Sequence, residues 1–435
     1  MNRLTVSDDR RGFLLDGKPH FICADTIWSA FCCATEAEWD HYTRTRSEQG
    51  FNGVQISLLP VLHDASNTYV GETPYKSTNG YASGPWDFRK PNDAFFDKAE
   101  KMLELAVARG LRPCIVLLWN NYVAGTWANA RRPDVTIPRD AVAELARHAA
   151  ARFRSYSPIY YISGDTKFEN DEITDTFLEA LDVVKEEDPE TLASMHIGGN
   201  MSELPDAVVS SKNLDFYTYQ SGHRITDVHA SWQLAEAFRE KSPARPIVNS
   251  EPCYEGHGHA GGVYGRFNAF DVRRAFWQSV LSGAGAGFTY GAHGLWSWHR
   301  RGAKFTSVTN SRVPFDWTTG LRLPGGSDAA ASTRLFEALE LHDAEPAQEL
   351  LVDAPEAVRC ARLRRAGGRD DLVIYMPYTD PVTVRIDSSP GDAEIVDLAS
   401  RTPLKGEIVA ADGGVTVAAP EANSDYIVVL RDARI

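Results

Sequence analysis

The chain has 435 residues, of which 43% are hydrophobic and 24% are charged, an ordinary composition for a folded globular protein larger than one average domain. Its formal net charge of −14 argues against nucleic acid or an anionic membrane as a partner, because both require a basic surface. No apolar run approaches the ~18 residues that a membrane-spanning helix needs. The N-terminal residues lack the apolar core of a signal peptide, so a cytoplasmic location is expected.

Short apolar runs alternate with helical patterns through most of the chain. A small antiparallel β region at 4–20 comes first, and Thr35 followed by Glu38 predicts a capped helix start. The pattern is weakest for the helix that should follow the fifth strand. Helices are predicted at about 36–49, 93–109, 138–154, 171–187, 229–241, 271–282 and 332–342. Strands are predicted at about 21–24, 51–57, 112–118, 159–163, 192–195, 214–219, 246–249 and 286–290.

These units predict the fold class: an α/β protein with a (β/α)8 TIM barrel and a C-terminal antiparallel β-sandwich. Eight strand–helix units over residues 1–345 fit a barrel better than an open doubly wound sheet. The first strand is not followed by a glycine-rich phosphate fingerprint, which counts against a dinucleotide fold. Residues 346–435 contain short alternating strands separated by turns, which is typical of a small sandwich.

Polar and aromatic side chains collect where the predicted barrel strands end. Carboxylates, amides and imidazoles can bind the hydroxyls of a sugar, and indole faces can pack on its C–H surfaces. Each residue alone also has a purely structural explanation, so the set carries the prediction. The predicted substrate-binding residues are Asp25, Trp28, Gln55, Trp119, Asn120, His196, Tyr219, Gln220, His223, Tyr254, His293 and Trp296.

Two carboxylates stand out, because Asp165 and Glu251 end the fourth and seventh strands. Hydrolysis of a glycosidic bond needs two carboxyl groups that flank it, ~5–5.5 Å apart in retaining enzymes. A turn acid at Asp165 and a buried ion-pair partner at Glu251 are the structural alternatives. Glu255 and Glu169 are nearby competitors, but both are predicted to lie in loops away from strand ends.

The long segment 60–91 is rich in Gly, Asn, Ser and aromatic residues. A loop of that length inside a compact domain is usually functional. It is expected either to cover the site, with Trp86, Tyr81 and Tyr69 reaching the sugar, or to pack on the barrel.

Five short motifs stand out together: residues 13–21, Ala24–Trp28, 50–55, Ile162–Asp165 and Asn249–Pro252. In these motifs the chain resembles the apiosidase-like glycoside hydrolases, whose barrel is followed by a small sandwich once described as collagen-binding. The resemblance implies that Asp165 is the acid/base, that Glu251 is the nucleophile, and that the substrate is a glycoside or oligosaccharide, such as an apiofuranoside or arabinofuranoside. The wider clan carries Asn–Glu where this chain has Gly164–Asp165, so Asn249, His196 or Gln220 is expected to replace the asparagine.

The pattern predicts no metal and no organic cofactor, and it leaves the oligomeric state open. The six cysteines are scattered without the spacing of zinc ligands, which indicates reduced buried thiols. Two other interpretations remain open. One is a glycan-binding barrel that does not cut. The other is a metal-dependent hydrolase, suggested by His196, His223, His257, His259 and His293, although the first strand ends in Ala24-Asp25-Thr26 and not in His-x-His.

Overall fold

The computed structural model describes residues 1–307, 312–365, 367–387, 391–419 and 421–435. Eight parallel strands form one barrel, which confirms the predicted fold. Each strand is almost wholly buried, as expected for strands covered by helices outside and filled by side chains inside. The strands are β1 (Ile22–Thr26), β2 (Gly53–Ser57), β3 (Arg112–Trp119), β4 (Ile159–Gly164), β5 (Leu192–Ser194), β6 (Tyr217–Tyr219), β7 (Ile247–Asn249) and β8 (Gly287–Gly291).

One main helix follows each strand. The first begins with a complete capping box, in which Thr35 accepts from the Glu38 backbone and Glu38 accepts from the Thr35 backbone. It ends at Gly50, whose φ of 103° suits glycine. The helices are α1 (Glu36–Gln49), α2 (Asp93–Ala108), α3 (Arg139–Phe153), α4 (Asp171–Glu187), α5 (Asp206–Ser210), α6 (Ala230–Arg239), α7 (Ala269–Val280) and α8 (Pro324–Ala338).

The hydrogen-bonded order of the strands is β5-β4-β3-β2-β1-β8-β7-β6. Between β5 and β6 the described residues form no regular ladder, but single bonds bridge the seam. The Asp215 backbone N–H donates to Ala193 O at 2.9 Å, and Ser194 Oγ donates to Phe216 O at 2.6 Å. The barrel is therefore nearly closed, and all eight strands end on the same rim.

The last helix begins earlier than the 332–342 predicted. Pro and Gly disfavour the interior of a helix, so Pro324, Gly325 and Gly326 did not suggest a helix. Pro324 nevertheless suits the first helical turn, where its missing N–H costs no hydrogen bond. The two glycines allow neighbouring side chains to pack closely against the helix backbone. A Cβ at Gly325 would lie 2.5 Å from Glu255 Oε2, and one at Gly326 would lie 2.9 Å from Arg46 Nη1.

Several short strands and helices lie outside the eight strand–helix units of the barrel. Leu4–Val6, Phe13–Leu15 and Lys18–His20 form the predicted N-terminal sheet. The segment 60–91 is not irregular throughout, because it contains two short strand pairings. Ala65–Ser66 pairs with Phe305–Thr306, and Tyr75–Ser77 pairs with Trp86–Pro91; the short helices are Ala30–Cys33 and Trp317–Gly320.

The C-terminal part is a sandwich of two antiparallel sheets with its own apolar core. The predicted boundary between residues 345 and 346 falls inside the strand Glu345–Pro346, which pairs with Arg359–Arg365. One sheet contains Glu345–Pro346, Arg359–Arg365, Arg369–Met376, Tyr426–Ala433, Asp392–Asp397 and Thr402–Pro403 in that order. The other contains Leu351–Val352, Val382–Arg385, Gly414–Ala418 and Glu407–Ala411.

Buried ion pairs join the sandwich to the barrel. Arg273 of α7 donates to Asp425 at 2.6 Å and to Asp328 of α8 at 2.7 Å. The Tyr375 hydroxyl also donates to Asp425, so this sandwich aromatic is a buried structural group. In the part of the chain that is described, no helix is both long and apolar enough to cross a bilayer.

Candidate active site

Side chains from the carboxyl ends of the barrel strands surround one cleft of about 530 Å³. Barrel enzymes carry their reactive groups at this end, where the loops after the strands converge. Both carboxylates singled out in the sequence, Asp165 and Glu251, line the cleft. The other predicted site residues that line it are Trp28, Trp119, Gln220, His223, Tyr254 and Trp296.

The Glu251 carboxylate lies between two imidazoles. His223 Nε2 is 3.0 Å from Glu251 Oε1, and His196 Nε2 is 3.4 Å from Oε2. Burial alone would raise the pKa of Glu251, but the two imidazoles outweigh burial and lower this pKa to about 2. Glu251 is therefore ionised at neutral pH.

The hydrogen bonds at the opposite ring nitrogens fix where the protons of these histidines sit. The Tyr254 backbone N–H donates to His223 Nδ1 at 3.3 Å, and Gln220 Nε2 lies 3.3 Å from His196 Nδ1. A ring nitrogen that accepts a hydrogen bond carries no proton, so each neutral ring is protonated at Nε2. Both imidazoles consequently turn an N–H toward Glu251.

Asp165 has a different environment. Its Oδ1 accepts from Gln220 Nε2 at 2.9 Å, and His63 Nε2 lies 3.6 Å from its Oδ2. Burial raises the pKa of Asp165 above its ordinary range; His63 opposes this rise, and the charge of Glu251 adds to it. The cleft therefore holds one carboxyl that favours its proton and one that does not.

The backbone around Asp165 explains the Gly164–Asp165 sequence. A Cβ at Gly164 would lie 2.4 Å from Trp119 Cδ2, so the indole packs directly on the backbone. Asp165 adopts a left-handed φ of 59°, a conformation that costs a residue with a side chain about 1–2 kcal/mol. Two hydrogen bonds to its carbonyl hold it there, from Asn120 Nδ2 at 2.8 Å and Trp127 Nε1 at 3.2 Å.

Aromatic rings form the walls of the cleft. Trp28 Nε1 donates to the Tyr254 hydroxyl at 3.1 Å, and the Trp28 and Trp119 rings meet edge to face, 5.3 Å between centroids. Tyr254 lies close over Gly291, where a Cβ would be 2.1 Å from its ring. Such faces suit the C–H surface of a sugar.

Two predicted binding residues are buried away from the cleft, Asp25 between the barrel and α1 and Gln55 inside the barrel. Asp25 accepts from Arg46 Nε at 2.6 Å and from the Tyr42 hydroxyl at 2.8 Å. Gln55 donates to the backbone oxygen of Ser250 at 2.9 Å. Both side chains are completely buried, so the structure gives them a role in bracing the barrel where direct sugar contact had been predicted.

Four more predicted residues also stay behind the cleft surface, and one of them is His196, which is fully buried beside Glu251. Asn120 holds the Asp165 carbonyl, as described above. The Tyr219 hydroxyl donates to Ser231 O at 2.9 Å, on the helix side of the barrel. His293 is fully buried outside the cleft lining. Successive side chains of a strand point to opposite faces, and a position at the strand end does not show which face a side chain takes. For this reason the predicted substrate contacts of these residues differ from their positions in the structure.

The competing carboxylates have structural partners. Glu255 accepts from the Tyr290 hydroxyl at 2.6 Å and from the Gly325 backbone N–H at 2.8 Å, at the N-terminus of α8. Glu169 accepts from the Trp127 backbone N–H at 2.9 Å. Neither lines the cleft.

Several cleft residues lie in the connections after the strands and were not predicted from the sequence. His63 and Trp127 flank Asp165, and Asp64, Arg131, Lys167 and Arg224 also line the cleft. The cations of Arg131 and Lys167 lie 6.0 and 5.8 Å from the Trp127 ring. The aromatic residues of segment 60–91 that were expected to reach the sugar do not line the cleft; they are Trp86, Tyr81 and Tyr69. Loops have no periodicity from which a facing direction could be predicted.

Within the described ranges, no group of three or more His, Cys, Asp or Glu side chains is placed to hold a metal ion. Four of the five histidines that suggested a metal-dependent hydrolase contact one another or Glu251, and the fifth, His259, packs edge to face on Phe267. The His223 ring stacks on the His257 ring with 4.3 Å between centroids, and the His257 and His293 rings meet edge to face with 5.0 Å between centroids. Burial lowers the pKa of His257 and His293, so both rings stay neutral.

Comparison with known proteins places this barrel in a family. A glycoside hydrolase family 5 protein from Bacteroides vulgatus has a TM-score of 0.78 at 19% identity, with 99% of this chain and 93% of that chain covered. Another solved structure, described as a glycoside hydrolase, has a TM-score of 0.78 at 20% identity, with 99% and 97% covered. These likenesses establish the fold, and no curated protein matches. The family model described as "Apiosidase-like, catalytic domain" matches residues 7–343, and the chain therefore belongs to this family of glycoside hydrolases.

Proposed function

We propose that this protein is a retaining glycoside hydrolase in which Asp165 is the general acid/base and Glu251 is the nucleophile. The supporting observation is the pair of carboxyls in one cleft whose pKa values shift in opposite directions. Environments that separate the pKa values of two neighbouring carboxyls divide the acid and nucleophile roles between them. Retention requires this division, because one group attacks while the other donates a proton.

In the first step, a Glu251 oxygen forms a bond to the anomeric carbon of the sugar. The bond from that carbon to the leaving oxygen breaks, and the Asp165 proton passes to that oxygen. The two imidazoles keep the Glu251 carboxylate ionised and oriented for this attack. The products of the step are the free aglycone alcohol and a sugar esterified to Glu251.

In the second step, Asp165 takes a proton from water, the water oxygen bonds to the anomeric carbon, and the ester to Glu251 breaks. Esterification has by then removed the Glu251 charge that raised the pKa of Asp165. The remaining neighbours, His63 and Gln220, favour the Asp165 carboxylate. Asp165 therefore holds the proton that it must donate before the ester forms, and it is ionised more readily, as a base must be, after the ester has formed.

The substrate that we propose is a glycoside or short oligosaccharide from plant or microbial material. Trp28, Trp119, Tyr254 and Trp296 supply flat apolar surfaces in the cleft, and Gln220 supplies a polar group close to Asp165. Asn249 is turned away, with its amide donating to Ser221 and Ser279. Family membership makes furanosides, apiofuranosides and arabinofuranosides above all, the first sugars to test.

The test is hydrolysis of a panel of aryl pyranosides and furanosides, with product stereochemistry followed by proton NMR. We expect release from at least one glycoside, and the first sugar product should have the anomeric configuration of the substrate. An inverted product would contradict the assignment of Glu251 as nucleophile. Sugar binding without any hydrolysis during long incubation would instead support a glycan-binding barrel.

Exhaustive chelation separates the proposal from the metal-dependent alternative. The proposed steps need only the two carboxyls and water, so we expect the hydrolysis rate to be unchanged by a chelator at millimolar concentration. Loss of activity that returns on addition of a divalent metal would overturn the mechanism.

A further inference from the structure

The side-chain amide of Gln220 lies between the two candidate catalytic carboxyls. Gln220 Nε2 donates to Asp165 Oδ1 at 2.9 Å and lies 3.3 Å from His196 Nδ1. The opposite nitrogen of that imidazole, His196 Nε2, is 3.4 Å from Glu251 Oε2. A chain of polar contacts therefore runs from Asp165 through Gln220 and His196 to Glu251.

The amide nitrogen has two protons, which is the number that these contacts need. One N–H serves the Asp165 carboxylate and the other serves His196 Nδ1. The reverse orientation of the amide would place its carbonyl oxygen against Asp165 Oδ1, where the two oxygens repel each other whenever Asp165 is ionised, as it is in the second step of the proposed reaction. It would also remove the donor from His196 Nδ1.

We propose that Gln220 is a positioning residue that orients both halves of the catalytic pair. Through its two N–H groups it stabilises ionised Asp165 and fixes the His196 proton on Nε2, facing Glu251. This role rests on the proposed function, because it assigns Gln220 an effect on the two groups that react.

The neighbours of each carboxyl show what should remain when Gln220 is replaced. Asp165 still has His63, and the Glu251 charge still acts on it. Glu251 still has His223, whose tautomer is fixed by the Tyr254 backbone N–H and not by Gln220. Gln220→Leu therefore removes one donor from Asp165 and releases one of the two imidazoles that face Glu251.

The first measurement does not depend on activity. Protein with ¹⁵N-labelled histidine is compared as wild type and Gln220→Leu, and the ring signals are assigned with His196→Asn and His223→Asn. We expect both His196 and His223 to be Nε2–H tautomers in the wild type. In Gln220→Leu the His196 signals should move toward the other tautomer or a mixture, while those of His223 should not. An unchanged His196 tautomer would overturn the proposal.

The second measurement is the pH dependence of kcat/KM for the best glycoside. Loss of an N–H donor favours the protonated carboxyl, so the alkaline limit, set by Asp165, should move up by about one pH unit. The acid limit, set by Glu251, should also move up, but by less. Gln233→Leu on the exposed face of α6 is the matched control and should change neither limit.

These results separate the inference from the function on which it rests. A lower kcat in Gln220→Leu with both pH limits unchanged would mean that the residue only supports the fold, which would overturn the proposal. If the wild type cleaves no glycoside while the ring spectra change as expected, the proposed function falls and the assignment of the His196 tautomer stands.

Discussion

The two carboxyl groups of the cleft, Glu251 on one side and Asp165 on the other, are both half-buried but have very different surroundings. Glu251 faces two imidazole N–H groups, at 3.0 and 3.4 Å. Asp165 faces one amide N–H at 2.9 Å and a more distant imidazole at 3.6 Å. Burial raises the pKa of both carboxyls, yet the pKa of Glu251 is low and that of Asp165 is high.

The hydrogen-bond donors, and not burial, therefore account for the opposite pKa shifts from which the two roles are proposed. A carboxylate that accepts enough hydrogen bonds stays ionised even when it is buried, whereas one with fewer donors and a negative neighbour holds its proton. The same cleft can therefore contain a nucleophile and an acid. Substitutions that change the surroundings of one carboxyl at a time should change the difference between the two pKa values, with measurable effects on activity.

The largest effect is expected from Glu251→Gln, which removes the attacking oxygen anion. No glycosyl ester can form, so kcat should fall on the order of 10⁴-fold or more. Steady-state hydrolysis of the best aryl glycoside measures this, with circular dichroism to check that the variant is folded. Activity close to wild type would exclude Glu251 as the nucleophile.

Asp165→Asn should produce a smaller loss that depends on the leaving group. General acid catalysis contributes on the order of 10²–10⁴-fold, and an activated aryl leaving group needs little of it. We therefore expect a large loss of kcat/KM for alkyl glycosides and a small loss for dinitrophenyl glycosides. The alkaline limit of the pH profile should also disappear. Equal losses for both leaving groups would argue against an acid role.

His223→Phe should weaken the Glu251 half without removing its carboxylate. Phenylalanine keeps an aromatic ring over His257 but has no N–H for Glu251 Oε1. The pKa of Glu251 should therefore rise from about 2, and the acid limit of kcat/KM should move up by about one to two pH units. His41→Phe, on the exposed face of α1, is the control and should leave this limit in place.

Much of this arrangement follows from the sequence, and the reason lies in the strands. Apolar runs that end in Asp165, Gln220 and Glu251 belong to a barrel whose strands all end on one rim, so these residues meet in the cleft. The sequence does not carry the facing direction of a side chain near a strand end. This is why Asp25 and Tyr219 were predicted to bind substrate, although both are held inside the protein by other partners.

The contacts made by loops and glycines are also hidden from the sequence. Gly164 lets the Trp119 indole occupy the space that a Cβ would need. His63 reaches Asp165 from an irregular segment that has no hydrophobic period. Such pairings depend on the closed barrel, which brings residues that are far apart in the chain within a few ångströms.

The smallest expected effect is on the melting temperature, which should change in opposite directions when Asp165 and Glu251 are replaced. The pKa of Asp165 is raised by folding, so its ionisation above that pKa destabilises the native state. Asp165→Asn removes this penalty and should raise the melting temperature at pH 7 by about 1–3 °C. The difference from wild type should shrink as the pH falls and wild-type Asp165 becomes protonated.

Glu251 should behave in the opposite way, because folding lowers its pKa to about 2. Its stabilising contribution is full above the unfolded pKa and is lost as the pH falls toward 2. In Glu251→Gln an amide NH2 would meet an imidazole N–H, and Gln220 and the Tyr254 backbone oppose the change of tautomer that would relieve this clash. The melting temperature at pH 7 should therefore fall by about 1–3 °C, and the gap to wild type should narrow toward pH 3. Shifts of the same sign in Asp165→Asn and Glu251→Gln, measured by differential scanning calorimetry, would mean that the two carboxyls are not distinguished by their surroundings.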